Sequence, residues 1–268
     1  MNFITQTQEY KKWVSETQIG TSQPNINGKM YSDLKIPLPP LSIQQQIVTE
    51  CNVIDKAAGI AQNEAEKGKR EIDEKIKMIY ENYKELVRLD KVSKITRGRF
   101  SHRPRNEPRF YNGIYPFIQT GEIVKAKGGK ISYTQTLNEE GLRVSKLFQP
   151  SIVLVTIAAN IGDTAVLDYP ACFPDSIVAL IPTEDINVYF LEFMMREQKQ
   201  YLNDIAPQMA QKNINIEILS KVKIPVPPIA EQEKLVAEIE LLEKRIAESQ
   251  KIISEAASLK QGVMKKYL

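Results

Sequence analysis

The sequence predicts an α+β protein: one globular domain of mixed helix and strand on a stalk of two long antiparallel, coiled-coil-like helices. Three observations predict it. A hexapeptide occurs twice, as KIPLPP at Lys35–Pro40 and KIPVPP at Lys223–Pro228. Each copy opens a long stretch whose apolar residues recur in steps of three and four. Between them, the apolar residues gather instead in short β-branched runs.

The hexapeptides belong to a longer repeat. Sliding the chain by 188 residues (Lys35 onto Lys223) also brings Asn25-Ile26-Asn27 onto Asn213-Ile214-Asn215, Gln44 onto Gln232 and Val48 onto Val236, without a gap. Further upstream Lys11 falls on Lys199 and Trp13 on Tyr201. Each copy reads as a helix-like stretch, an Asn-Ile-Asn segment and a short strand ending in two prolines. Those prolines forbid helix and hold the backbone extended. Each copy is therefore a stiff joint between a domain and the helix that follows it.

After the first joint, Ile43, Ile47, Cys51, Ile54, Ala58, Ala61, Ala65, Ile72, Ile76, Ile79 and Tyr83 mark one helix face. After the second, Leu235, Ile239, Leu242, Ile246, Ile253, Ala256 and Val263 do the same. One seam per helix asks for one long partner. Gly59 and Gly68 are expected to weaken the first helix by roughly 1 kcal/mol each. The helices are expected over 41–87 and 229–268, a vestigial domain tail over 1–40, and the complete domain over 88–228.

Within 88–228, Ile152–Ile157, Thr164–Leu167 and Ser176–Ile181 read as strands, and Asn187–Asn203 as a helix. The charge of the domain is concentrated. Thr96–Phe110 (TRGRFSHRPRNEPRF) holds five arginines, Arg97, Arg99, Arg103, Arg105 and Arg109, with His102 and one acid, Glu107. Its prolines and glycine make it a loop. Arginine forks match phosphate and guanine bidentately, and each neutralised phosphate releases counterions. A second basic loop, Lys125–Lys130, offers Lys125, Lys127 and Lys130 around two glycines. Gln119, Thr120, Asn160, Gln211, Lys212 and Asn213 complete the candidates for DNA contact, since Asn and Gln pair with adenine edges. For Asn213 a cap or turn is an equal alternative, because its repeat mate is Asn25.

Other classes are disfavoured. The net charge is only +3, so basicity is local. One histidine and two distant cysteines, Cys51 and Cys172, make no metal-ligand cluster or disulfide framework. Phosphate-binding glycine motifs are absent. NEPRF at Asn106–Phe110 only distantly echoes the Asn-Pro-Pro-aromatic motif of amino-methyltransferases, and no cofactor loop accompanies it. Asp163 and Asp175 flank strands, but no Glu-x-Lys follows at nuclease spacing. A reducing cytoplasm is expected: no leader-like segment opens the chain and no long apolar run spans a membrane.

The two joints, followed by SIQQQIV and AEQEKLV, resemble the conserved regions of type I restriction-modification DNA specificity subunits. RGRFSHRPRNEPRFYNGIYPFIQTGEI and CFPDSIVALIP are similar to stretches of their target recognition domains. The resemblance implies a subunit that reads split duplex DNA, with helices setting the spacer, and does no chemistry or cofactor binding itself. Methylation subunits would use S-adenosylmethionine on adenine, and restriction subunits would hydrolyse ATP. This chain departs from the pattern, because only one recognition domain is complete. It looks like a half-subunit, expected to pair with a second copy through its helices. The alternative is an assembly or decoy protein that engages methylation subunits without directing them.

Overall fold

The computed structural model describes residues 5, 8–18, 25–158, 160–206 and 214–267. The chain divides into two compact units, Met1–Ile72 with Glu240–Leu268, and Asp73–Ile239.

The first unit holds α1 (Gln8–Thr17), α2 (Gly28–Ser32), most of α3 (Leu41–Asn82) and the C-terminal part of α10 (Ile229–Tyr267). The two predicted seams meet here. Ile47 and Cys51 pack with Val263 and Met264, and Ile43, Ile54 and Tyr267 join them. Glu50 pairs with Lys266 at 2.8 Å, Asp55 with Lys260 at 2.7 Å and Glu64 with Arg245 at 3.3 Å. Numbering rises on one helix as it falls on the other, so they run antiparallel. Partly exposed pairs of this kind add little energy, so the apolar seam holds the helices and the ions tune register.

Gly68 departs from its expected role. It is buried, and a Cβ there would lie 2.9 Å from Ile246 Cγ1, so its bareness lets the helices close. Gly59 has open space instead.

In the second unit the same helices pair again through Lys75–Glu238 at 2.5 Å and Tyr83 Oη donating to Glu231 at 2.7 Å. The first helix stops at Asn82, short of the expected 87, and β1 (Val87–Arg88) follows. β1 pairs antiparallel with β10 (Lys223–Ile224), the strand of the second hexapeptide. Next come α4 (Leu89–Val92), β2 (Ser93–Arg97), β3 (Tyr111–Phe117), α5 (Thr120–Ala126), β4 (Gln135–Leu137) and α6 (Glu139–Val144). Then follow β5 (Leu147–Phe148), β6 (Ile152–Thr156), β7 (Thr164–Leu167), β8 (Ala171–Cys172), β9 (Ile177–Pro182), α7 (Val188–Glu197), α8 (Lys199–Ile205) and α9 (Ile216–Ser220). One four-stranded sheet has the order β2-β9-β6-β7, the other β4-β3-β8-β5.

The three predicted strands are β6, β7 and β9, buried as their β-branched composition demands. The predicted helix over Asn187–Asn203 is two helices meeting at Gln198, with Leu191, Met194, Met195 and Leu202 buried as expected. Asn187 caps the first by accepting from the Tyr189 and Phe190 N–H groups.

The repeat is structural. Asn27 caps α2 by accepting from Met30 N at 3.0 Å, and its mate Asn215 caps α9 by accepting from Ile218 N at 2.8 Å. The capping asparagine is thus the second of each Asn-Ile-Asn, whereas Asn213 lies outside the described residues. Gln44 Nε2 donates to Pro39 O at 2.8 Å, and Gln232 Nε2 to Pro227 O at 2.8 Å. Each joint is clasped by its own helix.

Candidate nucleic-acid interface

The candidate site lies at one end of the β2-β9-β6-β7 sheet. Arg97 pairs with Val178, Val178 with Val155, and Val155 with Thr164, making one row across all four strands. Beyond Thr164, its carbonyl accepts the Gly128 N–H at 3.0 Å. The arginine loop therefore leaves one edge of this row and the lysine segment flanks the other. Three strand spacings separate the edges, about 14 Å. Asn160 stands exposed in the connection between β6 and β7 at the same end.

The expected loop over Thr96–Phe110 is irregular only in its middle, since Thr96 and Arg97 end β2 and Pro108–Phe110 form a 3-10 turn, and it is anchored by backbone. Gly98 N donates to Ile177 O at 2.9 Å and Arg99 N to Phe173 O at 3.0 Å. Only glycine fits at 98: a Cβ would fall 2.3 Å from Pro174 O. This seats the loop against the turn that carries Asp175.

Two acids then organise the cations. Asp175 receives Arg103 Nη2 at 3.0 Å and also Arg105 Nη2, while Arg97 Nε donates to the Asp175 carbonyl at 2.6 Å. Glu107 pairs with His102 Nε2 at 2.5 Å and Arg109 Nε at 3.3 Å. The His102 ring and the Arg109 guanidinium both lie 4.7 Å from the Phe110 ring. Arg99 is engaged differently, donating from Nε to Ser145 O at 3.0 Å. The Ser145 hydroxyl returns a bond to Arg99 O at 2.7 Å. Composition marked the arginines but not Asp175 or Glu107 as their organisers. In the sequence only Glu107 lies within the basic run, and Asp175 is far along the chain.

The lysine segment differs from expectation. Lys125 and Ala126 belong to the last turn of α5, and only Lys127–Lys130 is loop. Lys127 adopts a left-handed φ of 49° and Gly128 one of 88°. The Arg196 guanidinium fills the space a Cβ of Gly128 would need. Arg196 pairs with buried Glu192 at 2.5 Å, and Glu192 also accepts the Thr164 hydroxyl at 2.6 Å. This buried network holds the turn against the sheet. Lys130 reaches Asp168 at 3.5 Å yet its side chain is 82% exposed.

Gln119 opens α5: Glu122 accepts its N–H at 3.0 Å, and Gln119 Nε2 donates to Gln135 at 2.5 Å. Thr120 is the first helical residue, half-buried. Gln211, Lys212 and Asn213 lie outside the described residues. The two carboxylates weighed as nuclease ligands are both paired with cations, Asp163 with Lys199 at 2.6 Å and Asp175 with the arginines. No group of three metal-ligating side chains occurs among the described residues. Burial raises the Cys172 and Cys51 thiols above their ordinary range, which disfavours the nucleophilic thiolate. No helix among the described residues is long and apolar enough to cross a membrane.

The described residues thus give an α+β unit with clustered arginines at one end of a sheet, and two long helices that run antiparallel. The chain belongs to the type I restriction modification DNA specificity domain family, whose model matches residues 2–67 and 81–257. It is 22% identical to the type I restriction enzyme MjaVIII specificity subunit of Methanocaldococcus jannaschii, over 93% of this chain and 64% of that protein. It spans about three fifths of the length of the curated relatives it matches. A solved structure of a type I R-M system, described for its complex assembly and conformational transition, aligns with a TM-score of 0.65 and 21% identity, covering 99% of this chain and 70% of the other. The HsdS subunit from Thermoanaerobacter tengcongensis aligns with a TM-score of 0.56 and 22% identity, covering 99% and 68%. The fold is thus shared with these proteins.

Proposed function

We propose that the chain is a non-catalytic DNA-recognition component of a type I restriction-modification complex. It reads one half of a split duplex site through Thr96–Phe110, Asn160 and Lys125–Lys130. The observation that carries this reading is the single strand row that ends at Arg97, where the arginine loop leaves, on one edge and at the lysine segment on the other. Its span of about 14 Å matches a groove about 12 Å wide with a phosphate strand beside it. Phosphate contacts would fix register and the Asp175-held arginines would meet base edges.

In this reading, methylation subunits bring S-adenosylmethionine to adenine, and restriction subunits bring ATP hydrolysis. Two copies pair along the outer helix faces, because the seams already face each other within the chain. Val53 and Ile60 on α3, with Leu241, Ile252 and Leu259 on α10, are the exposed apolar residues such pairing would cover. The bound site is then a split palindrome.

Selection from a random duplex pool tests the reading. Enrichment of one defined half-site supports it. Equal retention of all sequences, with methylation subunits still co-purifying, favours the assembly or decoy alternative. A strictly monomeric mass at micromolar concentration removes the pairing.

A further inference from the structure

The second sheet contains a bulge that neither the core nor the charged site uses. Leu137 of β4 stands opposite both Tyr111 and Tyr115 of β3, so Asn112, Gly113 and Ile114 have no counterpart on β4. Two residues make this backbone possible. Asn112 takes a left-handed φ of 62°, which asparagine tolerates better than most side chains. At Gly113 a Cβ would fall 2.3 Å from Asn138 Cα and 2.4 Å from Leu137 O, so only glycine lets the chain pass there. The bulge displays Ile114, which at 79% exposure is the most exposed bulky apolar residue described in the second unit.

The bulge is fixed, and it is fixed to the arginine loop. Asn138 Nδ2 donates to Arg109 O at 2.7 Å and to Tyr111 O at 3.1 Å, so one amide holds the end of the loop and the start of the bulge. The Tyr111 hydroxyl donates to Arg105 O. At the far end the Tyr115 hydroxyl donates to Glu139 at 2.6 Å. Both tyrosines pack against the aromatic core of Phe100, Phe110 and Phe117. The Arg109 guanidinium lies over the Phe110 ring with its side chain 56% exposed. An open cation and a bare isoleucine thus share one rigid frame.

A single apolar side chain on a surface ordinarily needs no explanation. Here a glycine and a left-handed asparagine are required to display it, next to a run of arginines. Duplex DNA offers both counterparts in one groove: guanine edges for the arginines, and the thymine C5-methyl for an apolar side chain. We infer that the β3 bulge is a further base-reading element, in which Ile114 packs on the C5-methyl of a thymine. This rests on the DNA reading above and adds a class of base to it. Arginine forks favour guanine or phosphate, whereas isoleucine recognises the one methyl group that marks thymine in the major groove.

The test uses the full chain and the duplex enriched from a random pool, with each thymine replaced in turn by deoxyuridine, which lacks only the methyl. At one position the replacement is expected to weaken binding about fourfold, the worth of one buried methyl group. Ile114→Ala should bind the unmodified duplex more weakly, keep the parent's melting temperature, and lose its sensitivity to that replacement. Arg109→Ala should weaken binding yet keep the fourfold difference, which separates the methyl contact from the charge. Enrichment of a half-site at which no deoxyuridine matters, or a methyl effect that persists in Ile114→Ala, overturns the inference and leaves the DNA reading standing. Failure to enrich any sequence removes both.

Discussion

The two basic elements flanking the sheet end are built on opposite plans. The arginine loop is held by carboxylates: Asp175 gathers Arg103 and Arg105, and Glu107 gathers His102 and Arg109. Its cations are partly neutralised but fixed in direction. The lysine segment is held from beneath by buried Glu192 and half-buried Arg196, and its own side chains stay exposed, with Lys130 reaching Asp168 at 3.5 Å. Fixed forks suit discrimination between bases, whereas solvated point charges suit attraction to any phosphate. The difference teaches that equal positive charge on two loops need not mean equal work.

The largest effect should come from breaking the fixed side. Replacing Arg103 and Arg105 with Ala is expected to cost about 1–3 kcal/mol each and to relax sequence preference, measured by competition between selected and scrambled duplexes. Asp175→Asn should move the two readouts apart, weakening preference while raising affinity for scrambled DNA, because a negative charge is removed.

Next comes Gly98→Ala. Its Cβ would clash with the Phe173–Pro174 backbone, so we expect about 1–3 kcal/mol of destabilisation with loss of DNA preference. A denaturant melt and the same competition assay read both. An unchanged melt would mean that the loop seat is softer than its contacts imply.

Replacing Lys125, Lys127 and Lys130 with Gln should weaken binding uniformly across sequences. The slope of log K against log salt should become shallower by about 0.9 for each lysine that meets a phosphate. A change confined to the selected sequence would erase the contrast between the loops.

The smallest effect concerns what lies under the lysine segment. Tyr169 donates to Ile131 O at 3.1 Å, and burial raises its phenol to about 12. Folding therefore favours the neutral phenol. The unfolded chain ionises near 10, so stability is full below that pH and falls as pH rises toward the folded value. Absorbance titration should show this tyrosine ionising late, and Tyr169→Phe should flatten the alkaline loss.

Much of the fold was legible because it rests on short-range rules. The step of three and four found both seams, and the prolines found both joints. β-Branched runs such as Ile152–Thr156 found the strands of one sheet. The second sheet was not read, since β3 carries Gly113 and Pro116 and alternates irregularly, and β5 and β8 are two residues each. The candidate site was legible as composition only. That Arg97 and Gly128 flank one strand row depends on β9 lying between β2 and β6, a pairing across some eighty residues that no local pattern encodes. Gly68 was misjudged for the same reason: its value lies in Ile246 on another helix.

The proline clasp sets where each long helix begins. Gln44 and Gln232 each close their joint through a carbonyl five residues upstream, and Gln232 is bonded to Asp185 and Asn187 as well. The first copy forms its clasp although Ile36 and Leu38 beside it are exposed. A boundary clasped by its own helix fixes where that helix starts, and with it the phase and reach of every residue beyond.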